Sequence, residues 1–186
     1  TRATSDPICQ PSGPRSCMID DNFGSGVGVD TGLTVDCFDR AGTAVDARFV
    51  ANIVIAGDGP TGDLGYAWAD QETVTDYTAS ASYSYVSSSD GPVSVHRSGV
   101  GSYEVTFPGL GRRGGNAQVV AAKGGPPALC KVLALTKVED DERITVRCRD
   151  VAGGLVDADF MVIFTNRVGL TGVPGRKAAY LLADRP

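Results

Sequence analysis

Cys148-Arg149-Asp150-Val151-Ala152-Gly153-Gly154-Leu155-Val156-Asp157-Ala158-Asp159-Phe160 repeats, without a gap, a stretch found 111 residues earlier: Cys37-Phe38-Asp39-Arg40-Ala41-Gly42-Thr43-Ala44-Val45-Asp46-Ala47-Arg48-Phe49. Eight of the thirteen positions are identical: Cys, Asp, Ala, Gly, Val, Asp, Ala and Phe. A cysteine upstream repeats as well, Cys17 at 20 residues before Cys37 and Cys130 at 18 before Cys148. A segment that occurs twice is one packing unit used twice, so this repeat bears on architecture before any motif does.

Working outward from the repeat, the chain alternates at a period of two. Leu33, Val35 and Cys37 share one face of Leu33–Phe38, the pattern of a half-buried strand. Asp39-Arg40-Ala41-Gly42 then supplies turn chemistry, an Asp that can cap its own backbone and a Gly that accepts positive φ. Further strands are expected over 48–55, 65–69, 80–86, 93–97, 102–107, 117–122, 129–135, 143–148, 159–165 and 178–182. Gly- and Pro-rich turns separate them, and the acidic run Glu139-Asp140-Asp141-Glu142 is read as a solvated hairpin tip. About ten to twelve short strands and no apolar 3.6-residue period predict an all-β fold, one antiparallel sandwich or barrel with almost no helix.

Tyr66-Ala67-Trp68-Ala69-Asp70 is echoed by Tyr180-Leu181-Leu182-Ala183-Asp184, which extends the repeat to three-strand units at 17–70 and 130–184. They flank a segment, 75–127, that occurs once. A unit of that length buries too little surface to stand alone, so the expectation is one β domain over 17–186 behind a Pro- and Ser-containing tail at 1–16. Tandem domains sharing the middle segment are the alternative.

The 186 residues are 42% hydrophobic and 21% charged, enough for a packed core. The net charge of −5 and the scattered Lys and Arg argue against nucleic acid and anionic membrane surfaces. No stretch reaches the roughly 18 apolar residues of a membrane-spanning helix. The start at Thr1, with neither Met nor an apolar leader, reads as a mature form or a trimmed piece. Matched cysteines inside matched units predict the disulfides Cys17–Cys37 and Cys130–Cys148, and with them an oxidising, extracellular compartment. Buried cytosolic thiols are the competing reading. Cys9 is left over, as a free thiol, a link to a second chain or a competitor for Cys17.

Gly101-Ser102-Tyr103-Glu104-Val105-Thr106-Phe107-Pro108-Gly109-Leu110-Gly111, followed by Cys130, Cys148-Arg149-Asp150 and Val156-Asp157, resembles a pattern in secreted bacterial β-strand repeat proteins of unknown function. The resemblance implies an extracellular location and assigns no catalytic residue or ligand.

The residues that could carry chemistry are few. His96, the only histidine, falls on the polar face of Val93–Arg97, and no nucleophile elbow accompanies it. The carboxylates Asp39, Asp46, Asp150 and Asp157 are duplicated, which suits turn capping better than a unique active site. No catalytic residue and no metal ligand is assigned. No cofactor is expected, calcium on the acidic loops being the alternative. Gly109–Asn116 lacks the phosphate-loop pattern and reads as a hairpin loop exposing Arg112 and Arg113.

Aromatic residues are the better lead. The swap of Trp68 for Leu182 between units points to core packing at position 68. Tyr83 and Tyr85, among Ser82, Ser84 and other hydroxyls, have no counterpart and are the candidate ligand-binding residues, suited to stacking on sugar rings. The expected function is a secreted, non-enzymatic binding or cell-surface interaction module for a glycan or a surface protein. The alternatives are an extracellular polysaccharide-active enzyme, a proteinase inhibitor with Arg112-Arg113 as bait, and a surface-layer or fibre subunit linked through Cys9.

Overall fold

The computed structural model describes residues 16–20, 34–47, 62–88, 90–122 and 126–167. Among them there are eleven strands and no helix: β1 (Ser16–Asp20), β2 (Thr34–Phe38), β3 (Asp63–Ala69), β4 (Asp76–Thr78), β5 (Ser84–Val86), β6 (Ser94–Gly99), β7 (Ser102–Phe107), β8 (Asn116–Ala121), β9 (Ala128–Val138), β10 (Asp141–Asp150) and β11 (Phe160–Asn166). The expected strands at 48–55 and 178–182, Cys9, most of the tail at 1–16 and the echo at 180–184 lie outside the described residues.

β3 to β11 form two antiparallel sheets, ordered β4-β6-β7-β10-β9 and β5-β3-β11-β8. They pack as a sandwich. β7 turns Tyr103, Val105 and Phe107 inward, and β11 turns Phe160, Val162 and Phe164 toward them. Tyr103 meets Phe160 at 5.1 Å between ring centroids, and Phe107 meets Phe164 at 6.5 Å. Ile144 and Val146 of β10 complete the layer, and all of these side chains are buried. Aromatics this large fit only because the facing strand β3 presents Gly65, Ala67 and Ala69. A Cβ at Gly65 would run into the Phe107 ring.

β3 and β11 are antiparallel neighbours in register, Asp63 opposite Asn166 and Ala69 opposite Phe160. The chain therefore enters and leaves the sandwich at one end.

β1 and β2 form a separate hairpin built like β9–β10. In each, two opposed cysteines are bridged, Cys17–Cys37 and Cys130–Cys148, with Cα atoms 4.0 Å apart. Each is followed by the same turn. Asp39 Oδ1 accepts from the amides of Ala41 and Thr43 at 2.8 and 3.0 Å. Asp150 Oδ1 accepts from Ala152 and Gly154 at 2.9 and 2.8 Å. Gly42 and Gly153 take φ of 77° and 93°, the left-handed conformation the turn requires. The hairpins differ in placement. The Cys130–Cys148 pair lies in the sandwich core, whereas the first hairpin sits at the β8–β9 edge, burying Met18 there and bridging Ile19 to Ala122.

Three expectations are corrected. The 80–86 segment is a turn at Ser80–Tyr83 followed by the short β5, because Tyr83 N–H and Ser84 Oγ both donate to the Ser80 carbonyl. The acidic tip is narrower than 139–142, since Glu142 belongs to β10 and is 2% exposed. Trp68 is not a core residue. Burial alternates along β3 with 65, 67 and 69 inside, which turns Tyr66 and Trp68 to the outer face.

The two loops closed by the disulfides are nearly equal, so chain entropy assigns each a similar stabilisation of about 3 kcal/mol. Packing separates them. Cys130→Ala with Cys148→Ala is expected to lower the stability of the sandwich by about that amount or more. Cys17→Ala with Cys37→Ala is expected to move the same transition by less than about 1 kcal/mol, because β3–β11 close both sheets without the first hairpin. Urea denaturation of the two double variants checks this, and equal losses would count against it.

Candidate binding face

Three rows of side chains cross the outer face of the β5-β3-β11-β8 sheet. Register places Tyr85, Tyr66, Ile163 and Gln118 in one row. The next holds Trp68, Met161 and Val120, with Tyr83 beside Trp68 at the head of β5. Tyr85 stacks on Tyr66 at 5.8 Å, and Tyr83 stands edge-on to Trp68 at 5.2 Å. The Ser80–Tyr83 turn fixes this arrangement, since the Trp68 amide donates to the Tyr83 carbonyl at 3.0 Å. Tyr83 remains 46% exposed.

The predicted ligand-binding residues divide here. Tyr83 and Tyr85 share the outer face, joined by Tyr66 and Trp68. Ser82 is exposed on the turn, and its amide donates to Ser80 Oγ at 3.3 Å. Ser84 opposes Ala67, which points inward, and its hydroxyl is committed to the Ser80 carbonyl at 2.9 Å. The extra members Tyr66 and Trp68 were legible from their i, i+2 spacing, had the small residues between them been taken as the core side.

The third row is acidic. Asp70 follows Trp68 by two residues, and continuing the β3–β11 register sets it opposite Asp159, with Ala122 bonded to the Asp159 carbonyl beyond. Asp159 is 7% exposed. Burial pushes its carboxyl up to about 7, assisted by a hydrogen bond with Glu72 and by the charges of Glu72 and Asp70. Asp70 Oδ1 and Asp159 Oδ1 are both buried, and neither accepts a hydrogen bond among the described residues.

Asp157, two residues before, behaves in the opposite way. Arg97 grips it with two hydrogen bonds, Nε at 2.9 Å and Nη2 at 2.7 Å. The Gly101 amide donates to it at 2.9 Å, and the Tyr103 hydroxyl stands 3.0 Å from it. The Arg97 bond, reinforced by Gly101 and Tyr103, holds its carboxyl down at about 2 despite partial burial. The duplicated carboxylates thus take two roles, Asp39 and Asp150 capping turns and Asp157 tying the sheets together.

The remaining candidates lie elsewhere. His96 projects outward from β6, opposite the buried Val95, and bonds Asp76 at 2.7 Å with both side chains exposed. Arg112 Nε pairs with Asp63 at 3.1 Å, and Arg113 is exposed beside a cleft of about 600 Å³. Arg112, Arg113, Lys137 and Arg167 line that cleft, with Asp90 and Asp140 offsetting two of the four charges. Among the described residues no three His, Cys, Asp or Glu side chains are grouped to hold a metal ion, and no helix is long and apolar enough to cross a membrane.

These carboxyls set a pH profile for stability. Asp159 and Glu142, the latter also raised to about 7 by burial, fit the fold best when neutral. Their contribution is full below the ordinary carboxylate range of about 4 and is lost as pH rises toward 7. Asp157, lowered to about 2, contributes fully above about 4, and that is lost as pH falls toward 2. Urea midpoints are therefore expected to peak near pH ~4 and decline toward neutrality. Asp159→Asn with Glu142→Gln should flatten the neutral limb. A midpoint that climbs steadily from acid to neutral pH in the parent protein would contradict the assignment.

Compared with protein families, curated proteins and solved structures, the chain matches no family model, no curated sequence and no solved structure, so its site rests on its own geometry.

Proposed function

We propose that the protein is a secreted, non-enzymatic binding module that takes carbohydrate on the outer face of the β5-β3-β11-β8 sheet. One observation carries the reading: two aromatic pairs, Tyr85–Tyr66 and Tyr83–Trp68, lie side by side on an outward sheet face, with Tyr83 half-exposed over the only tryptophan. Flat rings with polar edges suit the apolar faces of pyranose rings. The disulfides support an oxidising compartment and with it the secreted assignment. The duplicated carboxylates offer no hydrolytic pair. Asp39 and Asp150 are committed to backbone amides and Asp157 to Arg97, so none of these is poised as a nucleophile or acid.

Trp68 is an internal reporter, being the only tryptophan in the chain. A glycan recognised on an array is expected to shift or quench its emission on titration. Tyr83→Ala with Tyr85→Ala should weaken that glycan by about tenfold, the scale of one good aromatic contact. An array without any hit, or affinity unchanged by the double substitution, would sink the carbohydrate reading.

A further inference from the structure

The aromatic rows end on a group of carboxyls that no basic side chain among the described residues pairs with. Asp70 lies one outward position beyond Trp68, about 7 Å along the strand, and continuing the β3–β11 register past Ala69 and Phe160 sets Asp159, just ahead of β11, across from it. Glu72 stands close enough to Asp159 to raise its carboxyl further. Two oxygens of this group, Asp70 Oδ1 and Asp159 Oδ1, are buried without a partner among the described residues, and Asp159 is more than nine-tenths buried. The two basic side chains that β6 brings to this end are already taken, Arg97 by Asp157 and His96 by Asp76. Buried carboxylate oxygens without donors are costly, and a cation with N–H donors would satisfy both charge and hydrogen bonding.

We infer that the carbohydrate taken by this face is an amino sugar, its ring stacked on the Trp68–Tyr83 pair and its ammonium group directed at Asp70, with Asp159 and Glu72 behind. The inference rests on the proposed carbohydrate reading and narrows it to one class of substrate. The span from Trp68 to Asp70 is that of a pyranose ring with one exocyclic substituent. A neutral or acidic sugar would leave the row without a donor cation. The chain's net charge of −5 acts in the same direction, drawing cationic polymers toward the surface.

The test compares glucosamine oligosaccharide with its N-acetylated counterpart of equal length, at mildly acidic pH where the free amine is charged. Trp68 emission and titration calorimetry provide the readouts. The amine form is expected to bind at least about tenfold tighter, the scale of one charge-assisted hydrogen bond, with a preference that shrinks as salt is added. Asp70→Asn should bring the two affinities together. Glu72→Gln provides a second variant should Asp70→Asn fail to fold.

Equal binding of the two oligosaccharides, or a preference that survives Asp70→Asn, overturns the amino-sugar assignment and leaves the carbohydrate reading in place. A neutral glycan that binds when neither of these does has the same meaning. Failure of every glycan removes both. Asp70-dependent binding of oligolysine without binding of the amino sugar also overturns the assignment, in favour of a basic protein partner.

Discussion

Asp157 is the point on which the sandwich depends. It draws Arg97 and the Gly101 amide from the β6–β7 hairpin and the Tyr103 hydroxyl from β7, while it sits on the stretch that leads into β11. The same hydroxyl stands 3.0 Å from the Glu72 carbonyl and accepts the Ala158 amide at 3.2 Å, so one buried tyrosine links three segments. Below it the Tyr103 ring packs on Phe160, joining polar hub and apolar core in a single side chain. A buried network of this kind is useful only when every member is satisfied, and here Arg97 supplies the charge that Asp157 needs.

The neighbouring acid row is the contrast. Asp157 and Asp159 are two residues apart on the same stretch, yet one is held ionised and the other pushed toward its neutral form. The difference is the guanidinium. Nothing of that kind among the described residues reaches Asp70, Glu72 or Asp159, and that imbalance lies at the end of the aromatic face. Local structure is therefore settled by paired charge on one side and lacks it on the other.

Much of the fold was legible from one repeat. The Cys, Asp and Gly of Cys148–Gly153 and Cys37–Gly42 specify a bridged hairpin and its turn within a few residues, and local chemistry of that kind transfers from sequence to structure. The orientation of β3 did not transfer. Period two tells which residues share a face, not which face is inside, and the swap of Trp68 for Leu182 between units pointed Trp68 to the core. In the structure the inner side is Gly65, Ala67 and Ala69, small because Phe107 and its neighbours need the room, and that demand comes from strands some 40 to 100 residues later. Asp157 and Asp159 were hidden for the same reason. Their roles depend on Arg97, Tyr103 and Glu72, whose approach only tertiary packing creates. Glu142 looked like part of a polar tip because turn composition is read locally, whereas its burial follows from its place on the inward side of β10.

The pairing of Asp63 with Asn166 has a mechanical consequence. Because β3 and β11 lie antiparallel and adjacent, tension applied to the chain where it enters and leaves the sandwich acts at a single end of their ladder. Its hydrogen bonds would part in succession, like a zip, rather than resist together in shear. The ion pairs that Asp63 makes with Arg112 and Arg167 sit at that first tooth. A binding face built on this ladder would yield at low force, with the Tyr66 and Trp68 rows parting from β11 soon after the end opens.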